Sequence, residues 1–309
     1  MIDALRQLVR PLGSLASADL LTGGQFATTY RVTMTDGSRV VVKTAPAGTD
    51  QLLAYEHDLL RAEALVYGLA ADLPALRMPT VLLTDFSRTL LPTDVLVVSH
   101  LPGVPLVDSD LAPDDPRTMR DVGAVLAAMH RITGPAFGYP CGRQAPTWAE
   151  SFGAMIDELL ADAERWSVPV PADAVRAAMA RHAPVLADVS RPALVHTDLW
   201  AGNVFVDPGT GAVVGIIDPE RAFWGDPLAD LVGVDPMSRA VGTPALLEGY
   251  GPGLDVTSPS AATRLELYRM RLCLVMMIEI TPRKFEGDWV EPHRAAVTAN
   301  LHAALAALA

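Results

Sequence analysis

The amino-acid sequence predicts an α+β chain of two unequal lobes, a small antiparallel β lobe with one long helix over residues 1–99 and a larger α-rich lobe over 100–309. Three observations predict it. Strand-like runs crowd into the first hundred residues and are joined by a hairpin signal. After Leu101-Pro102-Gly103 the apolar residues recur at helical spacing instead. The chain has 309 residues and is 50% apolar, enough to bury two modest cores.

In order, residues 2–10 read as a short helix stopped by Pro11 and Gly13. Runs 19–21, 26–34 and 39–44 read as strands, the last two joined by Thr35-Asp36-Gly37-Ser38, a turn sequence that permits positive φ. Across 51–71, Leu52, Leu53, Leu59, Leu60, Leu65, Val66 and Leu69 fall at helical spacing, which predicts the long helix. Two more strands follow at 79–84 and 95–98, and a hinge at 99–103. Beyond it, helices are expected near 117–132, 148–166, 172–187, 227–233, 260–280 and 291–308. Two short strands interrupt them at 204–207 and 213–217, linked by Pro208-Gly209-Thr210-Gly211.

Composition excludes several classes. The net charge of −12 argues against a nucleic-acid partner, since phosphate backbones need clustered Lys and Arg. No uncharged apolar run reaches the roughly 18 residues of a membrane span. The chain start lacks a basic block followed by an apolar one, so no secretory signal is expected. Two cysteines, Cys141 and Cys273, build no disulfide framework, and a cytoplasmic setting is expected. Charge is uneven: residues 1–100 hold 8 basic and 10 acidic residues, residues 101–309 hold 16 and 26. An acidic second lobe suits a cationic small molecule, although acidity also serves plain solubility.

Phosphoryl transfer needs a neutralised polyphosphate, a metal held by oxygen ligands and an oriented acceptor hydroxyl. His196-Thr197-Asp198-Leu199-Trp200-Ala201-Gly202-Asn203 places a carboxylate and an amide on one short loop. Asp198 is placed to take the hydroxyl proton, and Asn203 to reach a metal from the loop's other end. Asp218 closes the following strand, where a second metal ligand would sit. A single loop Asp usually caps or turns, as Asp207 does before Pro208-Gly209; three such residues around one strand pair are not explained that way. In the first lobe, Gly23-Gly24 lies between two strands, where backbone can approach phosphates. Val40-Val41-Val42-Lys43 ends a buried-looking strand on a lysine, which needs an anionic partner; Glu63 is favoured and Glu56 stays open. Only two lysines (Lys43, Lys284) and two asparagines (Asn203, Asn300) occur beside 22 arginines, a hint and not a proof that Lys43 and Asn203 stand where those specific side chains are needed.

With Leu101-Pro102-Gly103, Leu126-Ala127-Ala128-Met129-His130 and the run from Ile217-Asp218-Pro219-Glu220 to Asp230-Leu231, these motifs resemble the aminoglycoside phosphotransferase family. Its members share the bilobal protein-kinase-like fold, and fructosamine, choline and homoserine kinases are related. The resemblance covers about residues 20–235. It implies Asp198 as catalytic base, Asn203 and Asp218 as Mg²⁺ ligands, and Lys43 on the α/β-phosphates, oriented by Glu63. It also implies backbone contacts from Gly23 and Gly24 to the phosphates and from Ser99 and Leu101 to adenine. Asp226, Asp230, His196 and His130 take orienting or core roles in it. Thr197 stands where protein kinases carry arginine, and Asp218-Pro219-Glu220 replaces Asp-Phe-Gly. A protein substrate and activation-loop switching are therefore not expected. The Asp-Leu-Trp run is similar to fructosamine kinases, Gly225-Asp226-Pro227 to the aminoglycoside group.

The expected function is an ATP- and Mg²⁺-dependent kinase, cytoplasmic and monomeric or homodimeric. Its acceptor would be a hydroxyl on a small, polar, cationic molecule of the aminoglycoside or amino-sugar type. GTP stays open as donor, because a hinge reads the nucleotide through backbone groups. A ketosamine or other sugar kinase is the nearer alternative. A nucleotide-binding pseudokinase is the alternative of another class, and it would require damage to the Lys43, Asp198, Asn203 and Asp218 set, which is intact.

Overall fold

Successive side chains of a strand point to opposite faces, and the first lobe buries both faces of its sheet. The structure, a computed structural model, describes residues 1–21, 26–46 and 48–309. Strands β1 (Leu15–Leu21), β2 (Thr28–Met34), β3 (Arg39–Thr44), β4 (Val81–Asp85) and β5 (Val95–Ser99) form one antiparallel sheet in the order β1-β2-β3-β5-β4. Val40, Val42, Val95 and Val97 point to one face, where they meet Leu5, Leu8 and Val9 of helix α1 (Ile2–Val9). Val41, Leu96 and Val98 point to the other, against Leu60 and Tyr67 of helix α2 (Leu59–Ala70). Lys43 continues that second face, so alternation alone aims it at α2. The β2–β3 connection is the expected hairpin turn: Gly37 sits at φ 87° and Asp36 accepts the Ser38 N–H at 2.9 Å.

The long helix expected over 51–71 is shorter. Residues 54–56 form a single 3₁₀ turn, Asp58 is left-handed at φ 62°, and α2 proper has 12 residues. Packing is the cause. Leu53, Tyr55 and Leu59 are buried in the core of the second lobe, a direction one straight helix on the sheet does not give them. The Ala54 N–H donates to Asp162 at 2.7 Å, and Arg165 donates to the Leu52 and Asp50 carbonyls. The chain from 50 to 59 is thus sequentially first-lobe but packs with the second.

After β5 the chain runs through 100–103 into β6 (Val104–Pro105). This strand pairs with β10 (Val204–Val206), itself paired with β11 (Val213–Ile216). A second small sheet joins β7 (Phe137–Gly138), β8 (Gln144–Ala145), β9 (Ala193–Val195) and β12 (Phe223–Gly225) in the order β8-β7-β12-β9. Around them pack α3 (Pro116–Met129), α4 (Trp148–Arg165), α5 (Ala172–His182), α6 (Leu228–Val234), α7 (Pro244–Tyr250), α8 (Pro259–Ile278) and α9 (Val290–Ala307). Asp115, Thr147, Thr243 and Ser258 cap α3, α4, α7 and α8 through their side chains. The helix expected to reach 187 stops at His182, and Pro184 leaves a 3₁₀ stretch to Asp188. Among the described residues no helix is long and apolar enough to cross a membrane.

Candidate active site

The catalytic loop hangs between β9 and β10, and one buried carboxylate holds its entry. Asp230 of α6, fully buried, accepts the His196 N–H at 3.0 Å, the Thr197 N–H at 2.5 Å and a hydrogen bond with His130 Nε2 at 2.9 Å. Burial alone would push this carboxyl up; the His130 hydrogen bond and the nearby imidazoles more than offset it and hold it below the usual range. With its backbone so clamped, Thr197 takes φ 67°, a left-handed conformation that β-branched residues rarely adopt. α6 also passes close beneath: a Cβ added to Gly233 would lie 2.5 Å from the Thr197 carbonyl oxygen.

His196 orients the loop and is not a base. Its Nε2 lies 3.0 Å from the Ile217 carbonyl oxygen, which can only accept, and its Nδ1 lies 3.3 Å from the Asp198 N–H, which can only donate. The two partners fix the Nε2–H tautomer and bind the loop to the end of β11. Asn203 closes the loop by donating its Nδ2 to the Asp198 carbonyl at 2.7 Å, which leaves its amide oxygen for a ligand. The Ile217 N–H donates to the Asn203 carbonyl at 3.0 Å, so Asn203 and Asp218 lie at adjacent ends of the β10–β11 pair.

Lys43 brings the lobes together. Its Nζ lies 2.8 and 2.7 Å from the two Glu63 carboxylate oxygens and 2.5 Å from Asp218 Oδ1. Glu56 lies elsewhere, paired with Arg283 of the second lobe. Burial disfavours the Lys43 ammonium, but Asp218 and Glu63 outweigh it and raise its pKa well above the ordinary value. The same contact holds Asp218 low against its own burial. Burial pushes the Glu63 carboxyl up while Lys43 draws it back. Asp218, like Thr197, is left-handed at φ 68°, and its N–H donates to the Tyr67 hydroxyl of α2 at 3.1 Å.

Asp198, half-buried, is the carboxylate that the 196–203 loop itself carries. Burial raises its pKa, and Arg221 opposes the rise. A raised pKa makes a stronger proton acceptor. Asp218 and the Asn203 amide oxygen form a hard-oxygen donor pair, the chemistry Mg²⁺ takes together with phosphate oxygens, so these residues fit that ion. At the hinge the Ser99 N–H donates to the Thr80 carbonyl at 2.9 Å, which fixes the end of β5. Leu101 packs on Gly215 of β11, so the hinge rests on the strand that leads to Asp218. Gly23 and Gly24 lie outside the described residues.

The sequence reading did not single out four residues that complete the site. Tyr67 braces Asp218. Glu220, 5% exposed, is pushed well up by burial and by Asp218. Arg221 and Glu279 pair at 2.8 Å, and the Arg221 carbonyl accepts the Thr197 hydroxyl at 3.0 Å. Glu220 and Arg221 were signalled only by their place after Asp218; nothing local marks Glu279 or Tyr67. Beside Glu220 lies a cavity of about 250 Å³ whose lining includes Tyr55, Tyr139, Arg143 and Glu158.

A sequence model of the phosphotransferase enzyme family matches residues 18–262. A fold comparison finds a Thermobifida fusca protein assigned to the fructosamine-3-kinases, with TM-score 0.70, 22% identity and 97% of each chain covered. It also finds aminoglycoside phosphotransferase APH(4)-Ia in a ternary complex with ADP and hygromycin B, with TM-score 0.65, 21% identity and 98% of each chain covered. A mouse (Mus musculus) protein, acyl-CoA dehydrogenase family member 10, is 27% identical over 268 residues, 82% of this chain. The chain spans 23% of the length of that relative. These likenesses establish the bilobal kinase-like fold.

Proposed function

The chain belongs to the phosphotransferase enzyme family, and from that premise we propose that it transfers the terminal phosphoryl group of Mg²⁺-bound ATP to a hydroxyl of a small polar molecule. The observation that carries the reading is the convergence of Lys43, Glu63 and Asp218 at 2.5–2.8 Å across the lobes, with the half-buried Asp198 on the same loop as Asn203. Lys43 holds the α/β-phosphates and Glu63 holds Lys43. Asn203 and Asp218 hold Mg²⁺, which neutralises charge on the phosphate oxygens. The Ser99 carbonyl and the Leu101 N–H receive the adenine. Asp198 accepts the proton of the acceptor hydroxyl as it attacks. Catalysis is then mainly positioning and preorganised charge, since the protein forms no bond to the transferred group.

The acceptor proposed is amine-bearing. Its support is the cavity beside Glu220, lined by Tyr55 and Tyr139, whose rings stack at 5.8 Å, and by Glu158 and Glu220. Stacked aromatic rings with carboxyls suit an ammonium group, although Arg143 lies 3.8 Å from Glu158 and takes part of its charge. A neutral sugar or ketosamine is the second reading.

Two measurements test this. Asp198→Ala should lose about 10²- to 10⁴-fold in turnover, the usual contribution of a general base, while nucleotide still shifts the melting temperature. Wild-type turnover in that variant would remove Asp198 as the base. Labelled ATP offered with aminoglycosides, amino sugars, choline and neutral sugars assigns the acceptor class, and turnover confined to neutral sugars ends the amine reading.

A further inference from the structure

Helix α2 carries Glu63, and its leading end is tied to the second lobe by a buried ion pair. Glu56 is 1% exposed. One of its oxygens accepts the Leu53 N–H at 2.9 Å, and the other pairs with Arg283, which follows α8. Arg283, with 7% of its side chain exposed, also lies 3.4 Å from Glu279 and places its guanidinium 5.9 Å from the Phe26 ring. Glu279 pairs in turn with Arg221 beside the catalytic loop. Alternating charges Glu56, Arg283, Glu279 and Arg221 therefore run from the entry of α2 to the neighbourhood of Asp198.

We propose that Arg283 is a positioning residue: by holding Glu56 it pins the entry of α2 to the second lobe and keeps Glu63 on Lys43 whether or not nucleotide is bound. The lever is short. Glu56 lies three residues before the first residue of α2, and Glu63 four residues after it. A shift of the helix entry by about 1 Å is passed to Glu63 through a rigid helix, and misplacement on that scale costs catalysis on the order of a hundredfold. Breaking a buried pair also strands the remaining charge, so the α2 entry would leave the lobe rather than keep Glu56 buried and unpaired. In this chain the Lys43–Glu63 pair is a fixed feature held from the second lobe.

The chain's own lysine scarcity supplies the assay. Lys43 and Lys284 are its only lysines, and Lys284 is exposed. Amine-reactive labelling read by mass spectrometry then reports Lys43 against Lys284 and the Met1 amine, with no nucleotide or acceptor present. Glu63→Gln, which weakens the partner directly, sets the scale for a released Lys43. The expected result is that Arg283→Met and Glu56→Gln raise Lys43 labelling several-fold, toward the Glu63→Gln level, while still melting cooperatively. In ATP turnover, Arg283→Met should lower kcat by about ten- to a hundredfold with the acceptor KM little changed, and Arg283→Lys should recover most of it. Glu56→Gln, nearly isosteric, carries the test if Arg283→Met does not fold, with the Met1 amine as the internal reference because Lys284 adjoins Arg283. Folded variants whose Lys43 stays as protected as wild type would overturn the proposal. The inference builds on the proposed kinase reading, yet the labelling needs no acceptor, so a failure to phosphorylate any acceptor would count against that reading alone.

Discussion

At the scale of residues, the protonation of Asp198 is set by two opposed effects, burial raising its pKa and the Arg221 guanidinium lowering it. In the proposed role as base Asp198 works only when deprotonated, so activity should fall as pH drops through that pKa. Removing Arg221 takes away the larger of the charges that oppose burial and raises the pKa further. Arg221→Met should therefore move the acid limb of the kcat/KM profile to higher pH, whereas a variant that only disturbed folding would scale the profile without moving it. The placement of Lys43, Asp198, Asn203 and Asp218 was legible because they lie in fixed spacing on one loop, at one strand end and on one buried strand. The choice of Glu63 over Glu56 was only half legible: both sit before or in the same helix, and what separates them is Arg283, 227 residues beyond Glu56. Such long-range pairing leaves no local pattern. The left-handed φ of Thr197 and Asp218 was not legible either, because neither is glycine and the clamp by Asp230 is tertiary.

At the scale of elements, the least legible helix is α7, seven residues with Thr243 as its cap. It forms through its neighbour. α3 and α7 cross at two glycines: a Cβ on Gly123 would lie 2.0 Å from the Leu246 carbonyl oxygen, and one on Gly249 would lie 1.9 Å from that of Arg120. Backbones this close exclude any side chain, which explains why so short a helix stays folded. α7 also supplies Tyr250, whose hydroxyl lies 2.9 Å from His130 Nδ1, and His130 in turn holds Asp230. Gly123→Ala should push the helices apart and cost about 1–3 kcal/mol, as overpacking does, read as a lower urea midpoint. It should also lower turnover by loosening the Tyr250–His130–Asp230 support of the catalytic loop. An unchanged midpoint would mean that α7 does not need the close approach. By contrast the long helices α4 and α8 were readable to within a few residues: α4 shows its amphipathic spacing and Thr147 cap in the chain, and α8 is a long apolar run, buried on nearly all sides, that starts at the Ser258-Pro259 cap.

At the scale of the whole molecule, the two lobes are joined by the hinge, by residues 50–59 packing into the second core, and by the Lys43–Asp218 contact. The last of these is the one that nucleotide would alter under the proposed function, in which metal and lysine draw on the same carboxylate. Mg²⁺-ATP binding only the folded state should stabilise it by about 2.7 kcal/mol at a free concentration of 100 Kd, seen as a rise in melting temperature. Chelating the metal should leave the smaller shift of nucleotide alone. Asp218→Asn separates the two roles of that side chain. It removes the metal-dependent increment, and it also leaves Lys43 with Glu63 as its only carboxylate partner among the described residues, so the free protein should melt lower than wild type. If Asp218→Asn kept the full Mg²⁺-dependent shift, the metal would be held by other residues, and the assignment of Asp218 would be wrong even with the Lys43 contact intact.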